Sequence, residues 1–199
     1  MLNLPISNTT EPIEGLSLDN ANGIYIPDAL EPLQIERIIQ SSLLALTPHI
    51  EGHQIKHYGW YENHPLNSPS PLKLKANPIP IWLECVGERL NEWMKINQIV
   101  LHYCKDLSST DHSSTDHESL LYPLPWDWHF DSRTNYGERI AIIALSPTRI
   151  ECKRSQTFDW TLNTGEGLIL QHKFRFSGLH RILGNHFIVS RQVRINNQN

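Results

Sequence analysis

From residue 97 onward the apolar pattern changes from a helical period to a period of two, and this switch restricts the possible folds more than any other feature. Candidate strands follow at Gln98–Tyr103, Arg139–Leu145, Arg149–Arg154, Thr157–Leu162, Gly167–Gln171, Gly178–Leu183 and Phe187–Ile195, with turn-forming residues between them. Short strands at such spacing point to an all-β sandwich or barrel. Ile140 to Leu145 is apolar without a break, which predicts a strand covered on both faces. Two helices are expected ahead of this β-core. Pro32 suits the first turn of one; Ile35, Ile38, Ile39 and Leu43 or Leu46 give its spacing, and Pro48 stops it. The other starts near Pro80, with Leu83, Val86, Leu90, Trp93 and Met94 as its apolar face and Gly87 weakening it slightly. Gly23 to Asp28 reads as a short strand ending in a turn. Residues 53–78 read as an extended, ordered loop with short strands.

A chain of 199 residues with 39% hydrophobic content and six Trp has material for one packed domain. The expected division is a flexible leader over 1–22 and a single domain over 23–199. Within it, Ser-Ser-Thr-Asp-His occurs twice in tandem from Ser108 to His117, and residues 108–119 read as a flexible, solvated insertion. No run of eighteen apolar residues is present, so no membrane span is expected, and the polar N-terminus lacks signal-peptide regions. Three widely spaced cysteines, Cys85, Cys104 and Cys152, fit free thiols in a reducing compartment, which places the chain in the cytoplasm, as an expected monomer. The net charge of −4 is unevenly spread: residues 1–138 hold 8 Lys/Arg against 18 Asp/Glu, and residues 139–199 hold 9 against 3. A solvated surface accounts for this; an anionic ligand met by the C-terminal part is the sharper reading.

His129-Phe130-Asp131 and the later His180 carry the candidate chemistry. Two histidines and one carboxylate form the facial triad of a non-haem ferrous site, which leaves metal positions open for a cosubstrate and dioxygen. On a strand, His129 and Asp131 share one face, so one strand end can present both to the same ion. The third ligand then comes from a distant strand folded back beside them.

Four blocks around the triad, in order, resemble the AlkB-like branch of the 2-oxoglutarate and Fe(II)-dependent dioxygenases from Gly23 to the C-terminus. They are Gly23-Ile24-Tyr25-Ile26-Pro27-Asp28-Ala29-Leu30; Pro78-Ile79-Pro80-Ile81-Trp82-Leu83; His129-Phe130-Asp131 running into Tyr136-Gly137-Glu138-Arg139 and the apolar strand; and Leu162-Asn163-Thr164-Gly165-Glu166-Gly167-Leu168-Ile169-Leu170 followed by Gly178-Leu179-His180. The resemblance implies a mainly β fold with flanking helices: a double-stranded β-helix, or jelly roll, preceded by two helices. It implies Fe(II) held by His129, Asp131 and His180, with 2-oxoglutarate and O2 as cosubstrates. It also implies an arginine on the strand after the distal histidine to grip the far carboxylate of 2-oxoglutarate. Arg191 is the choice and Arg194 the alternative; three apart on a strand, they point to opposite faces.

The chain departs from that family at three places. A second arginine often found six residues after the first would fall at Asn197. An Asn-x-Tyr pair that touches 2-oxoglutarate falls, ungapped, on His102 and Cys104; a shift of one residue recovers Tyr103, preferred here because a phenol donates to a carboxylate better than a thiol. Where base-repair members often carry an acid two residues after the metal aspartate, this chain has Arg133. Tyr58, Trp60 and Tyr61 lie where the family builds its substrate lid; Tyr58, Trp60 and Arg133 are the candidate substrate contacts, with core packing as the alternative for the aromatics. The implied activity is C–H hydroxylation, with oxidative N-demethylation of a methylated base in a single-stranded or flipped-out nucleic acid as its commonest form. Hydroxylation of a protein side chain or small metabolite, or a catalytically silent binding domain, are the alternatives.

Overall fold

The computed structural model describes residues 22–45, 47–50, 53–63, 72–75, 77–104, 125–133 and 135–195. The leader up to residue 21, the insertion over 108–119 and Asn197 lie outside them.

Strand β1 (Gly23–Ile26) precedes helix α1 (Pro32–Ala45), which begins at the proline suited to a first helical turn. Then come β2 (Thr47–Ile50), β3 (His53–Asn63), β4 (Leu72–Lys75) and helix α2 (Ile81–Leu90). The β-core runs through β5 (Gln98–Cys104), β6 (Tyr136–Ala144), β7 (Thr148–Lys153), β8 (Thr157–Leu162), β9 (Gly167–Leu170), the short helix α3 (His172–Phe176), β10 (Leu179–Gly184) and β11 (His186–Val193). The seven expected strands are all present, each within three residues at its ends. The expected loop over 53–78 differs: β3 is a strand of 11 residues. It pairs first with β5 and then, past Gly59, with β4. Gly59 makes that change of partner at φ +79, a conformation costly for other residues, and a Cβ there would run into the Asn97 carbonyl.

All these strands pair antiparallel, in two sheets. The large sheet has the order β1-β9-β6-β11-β5-β3-β2, with β4 attached to β3; the small one has the order β10-β7-β8. Face to face they form the double-stranded β-helix, with α1 and α2 laid on the outer face of the large sheet. Two apolar clusters record this layering. One holds Ile38, Leu83, Val86, Leu90, Ile99, Leu101, Ala141, Ile143 and Ile188, between helices and large sheet. The other holds Cys104, Ile140, Ile142, Phe187, Val189, Ile150, Cys152, Leu162 and Ile182, between the sheets. Successive residues of β6 thus enter different clusters, which is why its sequence shows no alternation. Side-chain parity on the large sheet is therefore fixed. Residues 98, 100, 102 and 104 of β5 face the inter-sheet space, and 99, 101 and 103 face the helices.

On α2, Leu83 is 0% exposed and Ile81 is 82% exposed. Leu83→Ala is expected to cost about 2–5 kcal/mol of stability and Ile81→Ala no more than about 0.5. Urea unfolding midpoints of the two variants check this; equal losses would contradict the placement of α2 on the large sheet.

Candidate metal centre

The site is built where the small sheet gains a fourth, one-residue member. His129 donates its main-chain N–H to the His180 carbonyl at 3.0 Å and accepts from the His180 N–H at 2.8 Å, closing an isolated antiparallel bridge. His180 lies on β10, opposite Cys152 of β7, with its side chain buried between the sheets. The bridge sets the two imidazoles side by side, ring centroids 4.5 Å apart. Asp131, two residues on, returns to the same place, with Oδ2 3.3 Å from His180 Nε2. One ligand atom from each of the three residues lies within 4.8 Å of the others.

Protonation states suit ligation. Burial and the neighbouring His180 push the His129 imidazole down to about 4, against the pull of Asp131 and of the Asp127 carbonyl. It is therefore neutral at pH 7. With Nδ1 placed 2.8 Å from the Asp127 carbonyl oxygen, which can only accept, the proton sits on Nδ1 and Nε2 keeps its lone pair. Burial raises the Asp131 carboxyl, but Arg191, His180 and His129 outweigh it and hold it well below the usual carboxylate range. Oδ2 of Asp131 and Nδ1 of His180 are buried and make no hydrogen bond among the described residues. Two imidazoles and one carboxylate, with a buried carboxylate oxygen left without a hydrogen bond, form a donor set that fits a divalent transition metal.

Of the two candidate arginines, Arg191 reaches the site and Arg194 does not. Arg191 lies opposite Gln98 and Ile140 on the inter-sheet face of β11. Its Nη2 is 2.6 Å from Asp131 Oδ1, its Nη1 donates to Gln98 Oε1 at 3.4 Å, and its guanidinium stacks 4.9 Å from the Tyr136 ring centroid. Arg194 is exposed just past the strand end.

Tyr103 is not brought to the metal. It faces α1, edge-on to the His186 ring at 5.6 Å, and His186 Nε2 lies 3.1 Å from Ser42 Oγ on that helix. The ungapped register is the inward one. His102 stacks on Phe187 with centroids 4.8 Å apart, and its Nδ1 lies 3.2 Å from His53 Nε2. Burial, then the charges of His53 and Arg191, keep His102 well below the ordinary imidazole range, so it is neutral. Cys104 is buried beside it, its thiol pushed up to about 12, which leaves it unreactive.

Tyr58 likewise belongs to the core. It is 5% exposed on the helix side of β3 and meets Trp82 of α2 edge-on at 5.8 Å, so it cannot stack on a substrate. Trp60 is half-buried where β3 pairs with β4. Arg133 is exposed with its guanidinium 5.7 Å from the ring centroid of Phe130, which is 53% exposed. Residue-by-residue reading missed Trp128, next to His129, whose ring lies 4.7 Å from the Arg181 guanidinium and 5.8 Å from the Lys153 ammonium. It also missed Arg175, a buried arginine whose only sequence signal is its place inside the apolar stretch Phe174–Phe176.

No family model and no curated protein matches the chain. Its structure is similar to that of OsALKBH1, with a TM-score of 0.54 at 10% identity, over 86% of this chain and 97% of that one. It is also similar to a Pseudomonas putida prolyl-4-hydroxylase, with a TM-score of 0.46 at 11% identity, over 87% and 94%. The likeness to OsALKBH1 is one of fold, over nearly its whole length.

The depressed histidines imply a pH response in the metal-free protein. The His186 imidazole is pushed down to about 4 by burial. A base with a folded pKa below its unfolded value binds more protons when unfolded. Its cost is absent above about pH 6.5 and grows as the pH falls toward 4. His186→Gln, which can still bond Ser42, is expected to reduce the stability lost between pH 7 and 4.5 by about 2 kcal/mol. Urea unfolding at the two pH values measures this; unchanged pH dependence sinks it.

Proposed function

We propose that the chain is an Fe(II)- and 2-oxoglutarate-dependent dioxygenase that hydroxylates a C–H bond. The observation that carries this reading is the convergence of His129, Asp131 and His180 within 4.8 Å, beside an inward guanidinium from the last strand of a jelly roll. The likeness of fold to OsALKBH1 agrees with it. Charge supports it too. Beside the candidate site lie the guanidiniums of Arg175 and Arg191 and the carboxylate of Asp131. Those three groups sum to +1; a divalent cation alone would raise this to +3 in a low-dielectric space, and a dicarboxylate dianion bound with it restores +1.

When bound, iron, 2-oxoglutarate and dioxygen supply the oxidising chemistry: 2-oxoglutarate leaves as succinate and carbon dioxide, one oxygen atom enters succinate and the other enters the substrate as hydroxyl. The chain's residues do the rest. His129 offers Nε2 because Asp127 fixes its proton on Nδ1. Asp131 stays ionised through Arg191. Arg191, turned toward the metal aspartate and held against Tyr136, would be the cation that receives the far carboxylate of 2-oxoglutarate. Neutral His102 and the apolar inter-sheet walls exclude water from the reacting centre.

The substrate reading that the surface favours is an aromatic anion, such as a methylated base in single-stranded nucleic acid. Phe130, next to the metal histidine in sequence and 53% exposed, carries the Arg133 guanidinium over its ring, whereas Trp128, Arg181 and Lys153 gather on the outer face of the small sheet, away from His180. Stacking on such rings is worth about 1–3 kcal/mol per base. Hydroxylation of an N-methyl carbon gives an unstable hemiaminal that loses formaldehyde, so the net outcome is demethylation. A protein side chain or small metabolite remains the second reading, since Arg133 stands where base-repair enzymes of the resembled family often place an acid.

Purified chain with Fe(II) is expected to convert 2-oxoglutarate to succinate. His129→Ala should remove at least about 99% of that turnover, since a ligand is lost. Arg191→Met should raise the KM for 2-oxoglutarate roughly 30-fold, for about 2 kcal/mol of charge-assisted bonding, while Arg194→Met stays within about twofold. Wild-type turnover that survives His129→Ala would overturn the assignment. Formaldehyde release is then measured with oligonucleotides bearing N-methylated bases. Succinate formation without formaldehyde from any of them decides for the second substrate reading.

A further inference from the structure

Arg175 is 0% exposed, and none of its contacts is explained by turnover itself. A guanidinium in such a place needs partners for its N–H groups, because leaving them bare in an apolar interior costs several kcal/mol. Arg175 finds them in main-chain carbonyls. Nε donates to Gly137 at 3.2 Å, Nη1 to Asp131 at 3.1 Å and Nη2 to Ser132 at 2.6 Å. The three acceptors span the turn between the metal aspartate and the start of β6. The planar fork thus fixes three points of one short loop.

The carrier of the fork is itself held firmly. α3 begins at His172, at φ 46, a left-handed conformation uncommon outside glycine that only secure surroundings maintain. Asn22 supplies part of them: its carbonyl accepts from Gln171 N at 2.9 Å, and its Oδ1 accepts from Lys173 N at 3.1 Å. Phe174 is buried edge-on against Phe158 and Trp160, at 5.1 and 5.3 Å. From this base the chain runs straight into β10 and His180.

We propose that Arg175 is a positioning residue of the metal centre: it grips the main chain on the far side of Asp131 and so sets the direction of the Asp131 carboxylate. The ligand segment is then tied on both sides. His129 is lashed to His180 by main-chain bonds, and the loop from Asp131 to Gly137 is lashed to Arg175 by side-chain bonds. Both ties come from the one stretch 175–180. This inference rests on the metal-centre reading.

The test uses the full chain, metal-free, titrated with Co(II) alone and followed by its visible absorption, with thermal unfolding of each metal-free variant alongside. Arg175→Met is expected to bind Co(II) about 10–100-fold more weakly, with a changed absorption spectrum. Arg175→Lys, which keeps the charge but not the fork, should fall between it and the wild type. Wild-type affinity and spectrum in a folded Arg175→Met overturn the proposal. So does failure of both variants to fold, since the arginine would then hold the whole domain and not the ligand loop. Absence of a His129-dependent Co(II) spectrum in the wild type overturns the metal-centre reading itself, and the role of Arg175 with it.

Discussion

Two main-chain hydrogen bonds between His129 and His180 are the interaction on which the rest of the site depends. Together with the Ile182 N–H, which donates to the Pro125 carbonyl at 2.7 Å, they join the segment before β6 to the small sheet, and they place two of the three candidate metal-binding side chains in one step. The third follows from pitch, because Asp131 is two residues away. Everything else in the fold serves this junction. β7 holds β10 in register through its whole length, β8 holds β7, and the apolar space between the sheets gives His180 its burial.

The interior so formed is unusual in its electrostatics. Two guanidiniums and one carboxylate share it with neutral imidazoles, kept neutral mainly by burial. Asp131 stays ionised in such a place because Arg191 touches it. That contact has a second effect: Arg191 takes Oδ1 of Asp131, at 2.6 Å, and leaves Oδ2, the oxygen 3.3 Å from His180 Nε2, for an ion.

Much of this was legible in the sequence, for reasons that differ by residue. The strands showed through their period of two, and β6 through the absence of one, since each of its faces meets a different apolar layer. The triad was legible because ligand chemistry leaves few substitutes for His and Asp. Strand parity says that Arg191 and Arg194 face opposite ways but not which one faces inward; the structure turns Arg191 inward. Parity is also where the reading slipped. Tyr103 was preferred for its phenol, yet one residue along a strand reverses the face, and it is His102 that looks inward. Tyr58 lies in the stretch where the resembled family builds its substrate lid; the length of β3 puts it under α2, in the core that the aromatics' alternative reading gave it. Arg175 could not be seen at all. A lone arginine in sequence reads as solvated, and only the arrangement of three carbonyls around it explains its burial.

The order in which the chain is laid down gives the histidine junction one more meaning. Between His129 and His180 lie β6, β7, β8, β9 and α3, so the two partners meet only after most of the small sheet exists. Contacts that close long loops form late in folding, since the entropy of closure precedes their reward. The candidate metal site is thus complete only once β10 has joined β7 and His180 has met His129. A nascent chain halted before β10 would carry His129 and Asp131 but neither His180 nor the main-chain bridge that brings the three side chains together.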